Sequence, residues 1–273
     1  MKSVVKILLI VLTPLLMFLC ALSINIKGQL LFSRFWTNTF RDNEIYQKIS
    51  VTIGDKVVDK VMDSGGQKTD IKDLSGFISE SSIRSFSEKN IEGIIEYVNG
   101  KSDELNVYAP ILSEGILNIE KVANIDSYSK EVQIDTFLSE YNVSGINSED
   151  FKYISRFGIY SWFLLILSYS LLILNIFFLL HLTNEGRKFV LPGISFIFSG
   201  LTFLGMYFIG NSILKMLSLK YFESTNIGTL LITIITPPIV SKIIQIWIWF
   251  SVSSLIIGVI LFFIKKPVKT KQK

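Results

Sequence analysis

Apolar residues along this chain follow two rhythms. Residues 157–180 read FGIYSWFLLILSYSLLILNIFFLL, twenty-four positions without a formal charge. As a helix that run is roughly 36 Å long, against roughly 30 Å of hydrocarbon in a bilayer. A soluble helix has no reason to be apolar on every side over that length, so the pattern predicts a transmembrane span. Residues 7–24, 189–210 and 243–264 are likewise free of charge, which makes four spans. Between the first and second, apolar positions come instead at spacings that leave one side polar.

That intervening stretch, residues 27–156, predicts a helix-rich domain. From Arg41 to Met62, Ile45, Ile49, Ile53, Val57 and Val61 recur every fourth residue with Val58 beside them, a one-sided helical stripe. Asp42 or Asn43 is placed to cap its start, and Ser64, Gly65 and Gly66 to end it. Residues 70–78 suit a short helix. Residues 79–99 suit a long one, striped by Ile83, Phe86, Ile91, Ile94, Ile95 and Val98 and stopped by Asn99-Gly100. Alternation of Leu105, Val107, Ala109 and Ile111 predicts a short extended segment, which Pro110 pushes to a sheet edge. Weaker helical patterns cover residues 112–122 and 133–141. The expected fold class is therefore mainly α: a four-helix transmembrane protein with a helix-rich, minor-β exterior domain inserted between spans one and two.

Three junctions refine this plan. The first run is either a signal peptide or a membrane helix. Ala21-Leu22-Ser23 resembles a cleavage site and Pro14 interrupts the run, but its length exceeds a signal-peptide core and favours an uncleaved anchor over residues 1–26. Before the second span, Asn147, Ser148, Glu149 and Asp150 form a good helix start with no breaker following, which predicts one helix running stiffly into the membrane. Within the membrane domain, residues 157–264, the stretch 211–242 is mixed. Lys215 and Lys220 among apolar residues suggest an interfacial amphipathic helix. Residues 227–240 are too short to cross and are interrupted by Pro237-Pro238, which predicts an interfacial or re-entrant segment.

Charge adds a direction. Residues 27–156 hold 21 acidic and 15 basic side chains, while the remainder holds 2 acidic and 12 basic. A nucleic-acid binder would carry its positive charge on the folded polar part; here that part is acidic, and no nucleic-acid partner is expected. The basic residues instead flank the spans: Lys2 and Lys6, then Arg187 and Lys188, then five lysines in the nine-residue tail 265–273. With four spans these fall on one side, and the positive-inside rule makes that side cytoplasmic. The sequence thus predicts a plasma-membrane protein with both termini inside, a basic cytoplasmic tail and residues 27–156 outside.

Candidate chemistry is sparse. No phosphate-binding loop, zinc-protease helix, nucleophile elbow or dinucleotide fingerprint occurs, so no catalytic, cofactor-binding or metal-ligating residue is assigned and no enzyme activity or cofactor is expected. His181, the lone histidine, sits at the end of the second span, where a headgroup-level polar residue explains it better than a proton switch. Cys20 lies inside the first run without the small residue before it that lipidation requires. Asp103, Glu104 and Glu114 have no calcium-loop spacing and read as solvated surface. The spans carry only neutral polar residues, among them Asn175, Thr202 and Gln245; coupled carriers and pumps usually keep ionisable groups at depth. Asn175 could line a pathway, but a helix-to-helix hydrogen bond is the simpler account. Ser195-x-x-x-Ser199 and Ser254-x-x-x-Gly258 permit close helix packing within the chain. Asn142-Val143-Ser144 fits a glycosylation triplet, relevant only in a eukaryotic secretory route.

Residues 41–49, RDNEIYQKI, followed by 96–108, EYVNGKSDELNVY, resemble a pattern in uncharacterised bacterial four-span membrane proteins. In these a helix and a Gly-x-x-x-x-Leu-x-Val turn-to-strand, matched by Gly100, Leu105 and Val107, lie in an exterior domain between the first two spans. The plan is also similar to permease subunits of the cell-division and macrolide-export type of ABC transporter, although this chain offers only residues 181–188 as a cytoplasmic coupling surface. The resemblance implies an architecture and no activity. The function expected is that of a non-catalytic envelope scaffold, sensor or accessory subunit, held in the lipid bilayer and meeting a protein partner through its exterior domain. The alternative is a permease-like subunit of a transporter or mechanotransmission complex.

Overall fold

The computed structural model describes residues 2–63, 79–110, 129–133, 153–183, 188–221 and 227–264. In chain order these form α1 (Lys2–Ile24), a π-turn (Asn25–Leu30), α2 (Ser33–Asp42), α3 (Ile45–Asp63), α4 (Glu80–Val98), β1 (Asn106–Pro110), β2 (Ser129–Gln133), α5 (Phe157–Leu182), α6 (Val190–Tyr221) and α7 (Ile227–Phe263). Four helical stretches are long and apolar enough to cross a membrane: Ser3–Leu30, Phe157–Leu182, Val190–Met216 and Leu231–Phe263. Among the described residues the only sheet is the antiparallel pair β1–β2, with Val107 opposite Val132 and Tyr108 opposite Glu131. The predicted mainly helical class, with four apolar spans and little strand, is what the chain adopts.

The chain divides into two compact units, an apolar one made of Met1–Gln29, Tyr160–Lys215 and Ser241–Lys273, and a polar one made of Leu30–Ile159 and Met216–Val240. In the apolar unit, large side chains such as Phe163, Ile173, Phe177 and Phe263 point outward, as an apolar solvent allows. Inside, Met17, Ala21 and Phe203 form a core against Phe18, Leu172, Phe196, Trp247 and Phe250. Helices α6 and α7 touch backbone to backbone. A Cβ on Gly258 would stand 2.7 Å from the Ile197 nitrogen, and one on Gly193 2.9 Å from the Gly258 carbonyl oxygen. The small residues at the anticipated packing motifs are indeed spent within the chain: Ser195 and Ser199 are wholly buried and Ser254 nearly so.

The polar unit is built around Ile45, Tyr46, Ile49, Phe40, Tyr97, Val98, Leu105 and Val107, all buried. Helix α4 starts and stops where its sequence indicates. Ser79 caps it by accepting from the Ser82 amide at 3.2 Å. At the other end the Lys101 amide donates to the Glu96 carbonyl and the Gly100 amide to that of Tyr97. That is a Schellman closure, with Gly100 at φ 70° supplying the left-handed residue such a cap needs. Asn90 then joins α4 to β1. Its side-chain oxygen accepts from the Tyr108 amide at 2.9 Å and its nitrogen donates to the Tyr108 carbonyl at 3.2 Å, so the amide replaces a strand neighbour.

Three expectations about helix boundaries differ from the structure. The helix read from Arg41 to Met62 is two helices, because Asn43 closes α2 and Glu44 takes a left-handed φ of 55°. The side chain expected to start a helix instead ends one, with Asn43 Nδ2 donating to the Thr39 carbonyl at 2.8 Å. The stretch 211–242 is not a separate element. Residues 211–221 continue α6, and α7 runs through Pro237 and Pro238 without a break. Each proline removes a backbone donor from the ladder, yet the helix continues on both sides of the pair. Before α5, a turn at residues 155–156 interrupts the helix expected to run in from Asn147. Residues 64–78, 111–128 and 134–152 lie outside the described residues, and with them the helices expected at 70–78, 112–122 and, beyond Gln133, 133–141.

Candidate functional site

A concavity of the polar unit lies where α4 faces the sheet. It has a volume of about 200 Å³ and is lined by Lys89, Glu92, Glu96, Glu104, Tyr108 and Glu131, with Gly93 and Asn106 also contributing. The spacing Lys89, Glu92, Gly93, Glu96 puts four positions of α4 on one face, and strand alternation presents Asn106 and Tyr108 together. Gly93 lets the sheet come close; a Cβ there would stand 3.1 Å from the Asn106 carbonyl oxygen.

Electrostatically the cleft holds four carboxylates and one ammonium. Two of the carboxylates are oriented: Glu104 accepts from Gln133 Nε2 and Glu131 from Asn106 Nδ2, each at 2.9 Å. Lys89 Nζ sits 5.3 Å from the centre of the Tyr108 ring, a cation–π distance. Glutamates spread along a rim suit hydrogen-bond donors and cationic side chains of a partner. They are not gathered into a metal-binding group; among the described residues no cluster of three or more His, Cys, Asp or Glu is placed to hold an ion. Of the acidic residues picked from sequence, Glu104 lines the cleft, Asp103 is exposed beside it, and Glu114 lies outside the described residues.

Beneath the cleft α4 is tied to α3. Tyr46 is 2% exposed and donates to Glu88 Oε1 at 3.2 Å, which also meets Arg84 Nε at 3.0 Å. Burial first, and then the Glu88 charge, push the Tyr46 phenol above its ordinary range.

In the apolar unit several polar residues bond to neighbouring helices. Asn175 Nδ2 donates to Thr13 Oγ1 at 2.9 Å and to the Leu9 carbonyl at 3.2 Å, the helix-to-helix bond its position suggested. Ser251 donates to the Gly200 carbonyl at 2.7 Å, and Ser254 reaches the Met17 sulfur at 3.7 Å. Cys20 is buried at 1% exposure. Thr202 only bonds back to Phe198 within its own helix, and Gln245 is exposed. His181 is exposed and stacks on Phe177, ring centres 6.5 Å apart at 11°. Asn142 and Ser144 lie outside the described residues.

Two residues that sequence reasoning passed over stand out. Asn25 and Gln29, in the π-turn, carry buried amide atoms without a partner. Their only signal in the sequence is two amides four residues apart directly after an apolar run. No family model, curated protein or solved structure matches this chain.

Proposed function

We propose that this chain is a multi-pass protein of a bacterial plasma membrane, with both termini in the cytoplasm and residues 27–156 outside. It works without catalysis, as an envelope scaffold, sensor or accessory subunit whose exterior domain engages a protein partner. The support for this reading is where the spans spend their polar side chains. Asn175, Ser251 and Ser254 bond to adjacent helices, and runs such as 157–180 contain no Asp, Glu, Lys, Arg or His. A membrane half arranged that way holds itself together and offers little to a passing solute. Recognition is then left to the polar unit, where the glutamate-lined cleft beside α4 presents an open, charged surface. Basic flanks at Lys2, Lys6, Arg187, Lys188 and the tail support the orientation.

Two experiments on the full chain in cells test this. A photo-crosslinking residue at Glu92 is expected to yield a discrete protein adduct, and one at Trp249, on an exposed apolar face, none. An ATPase captured from residues 184–188, with nothing at Glu92, would turn the reading to a permease-like subunit. For the threading, an impermeant thiol reagent is expected to label Asp103→Cys and spare Thr270→Cys; the reverse pattern would invert the topology.

A further inference from the structure

Helix α4 treats its glutamates unequally. Glu88 is matched: it meets Arg84 one turn earlier and accepts from the Tyr46 hydroxyl. Glu92 and Glu96 follow at the same four-residue interval and line the cleft. Among the described residues neither of these two carboxylates has a hydrogen-bond or ion-pair partner. Like charges at that interval repel each other. The opposite wall adds to the repulsion, because Glu104 and Glu131 are held there by the neutral amides of Gln133 and Asn106. Lys89 is the one basic residue of the lining, and its ammonium lies over the Tyr108 ring. The cleft is therefore short of positive charge.

Size and geometry narrow the guest. The volume, about 200 Å³, is below the roughly 300–1,000 Å³ of small-molecule pockets. One long side chain of a larger partner fits; a folded element does not. The one aromatic ring of the lining already carries Lys89 over it, which leaves charge rather than stacking to hold the guest. An ammonium is a point charge, whereas a guanidinium is a planar fork of five donors that matches carboxylates in pairs. With acidic groups on both walls, the planar cation is the better match.

We propose that the cleft receives an arginine side chain of the partner, with Glu92 and Glu96 on the helix wall and Glu104 and Glu131 on the sheet wall as its acceptors. This rests on the reading that the exterior domain engages a protein partner, and it names the chemistry by which that partner is recognised. Lys89 has the same sign as the guest, so it opposes entry and limits the affinity from within the site.

The test is fluorescence anisotropy of labelled tetra-arginine, tetra-lysine and tetra-citrulline peptides with the full chain in nanodiscs of phosphatidylcholine, which carries no net charge. Tetra-arginine is expected to bind several-fold more tightly than tetra-lysine, and the uncharged tetra-citrulline not at all. Glu96→Gln and Glu131→Gln, one on each wall, should each weaken tetra-arginine several-fold, and Lys89→Met should tighten it. Asp103→Asn, beside the cleft but outside its lining, should leave it unchanged. Equal weakening by Asp103→Asn would show attraction to the acidic surface at large and overturns the proposal. So does equal affinity for the arginine and lysine peptides, or no binding of tetra-arginine. A protein adduct at Glu92 in cells without tetra-arginine binding removes the arginine site and keeps the partner reading; binding without an adduct supports the site and removes the partner.

Discussion

Asparagine does different work in the two units. In the polar unit Asn90 completes a strand edge, giving and accepting at Tyr108. Asn99 likewise donates to the Leu31 carbonyl at 3.0 Å and to that of Ile95 at 2.9 Å. These amides finish a backbone that water would otherwise solvate. In the apolar unit Asn175 donates to Thr13 and Leu9 while its Oδ1 is buried without a partner. The apolar unit buries small polar residues such as Ser195, Ser199, Ser251 and Ser254, and brings α6 and α7 close at Gly193 and Gly258. A substitution should therefore be judged by which of these two economies it disturbs.

The largest effect is expected where that backbone approach is closest. Gly258→Ala places a methyl 2.7 Å from the Ile197 nitrogen and should lower thermal stability in detergent or nanodiscs by about 2–3 kcal/mol. The same change at Gly205, which has nothing within 4 Å, should be neutral or raise stability by up to about 1 kcal/mol through helix propensity. Equal losses at both glycines would break the argument that packing, not propensity, holds α6 to α7.

Next come the asparagines. Asn90→Ala strands the Tyr108 N–H and C=O and is expected to cost about 2 kcal/mol in denaturant unfolding. Asn175→Leu removes a bond in apolar surroundings, and its coupling to Thr13→Val in a double-mutant cycle should be near 0.6 kcal/mol. A coupling as large as the loss at Asn90 would erase the distinction drawn here.

A smaller effect is tied to pH. The Tyr46 phenol ionises near 10 when unfolded and only above that when folded, because burial and Glu88 oppose its charge. The associated stability is complete below pH 10 and is lost as the pH climbs toward the folded value. Unfolding followed from pH 8 to 11 should show a decline at the top of that range that is shallower in Tyr46→Phe. The smallest effect belongs to Glu44, left-handed at φ 55°: Glu44→Gly relieves that conformation and should gain about 0.5 kcal/mol, measurable as a shift in the denaturant midpoint.

How much of this was legible depended on whether the signal was local. The four apolar runs, the helix over 79–99, the Asn99-Gly100 stop and the strand around Val107 rest on residues adjacent in sequence, and the structure has an element over each, although the fourth apolar stretch starts earlier, at Leu231. The break at Asn43–Glu44 was hidden because the apolar stripe continues across it, and a stripe does not report one residue's φ. The proline pair misled for the opposite reason. It is a strong local signal, and the rest of α7, which carries both prolines, overrides it. The cleft was legible only in fragments. Glu104 was noticed as a charge, but its meeting with Glu92 and Glu96 depends on β1 folding back along α4, a tertiary fact that no spacing along the chain encodes.

Cys20 has a practical sequel. It is the chain's one sulfhydryl, shut away at 1% exposure among the spans, so the natural protein is already a quiet background for attached reporters. Paired spin labels or fluorophores introduced at chosen positions would read distances in the intact molecule without first editing out a native thiol.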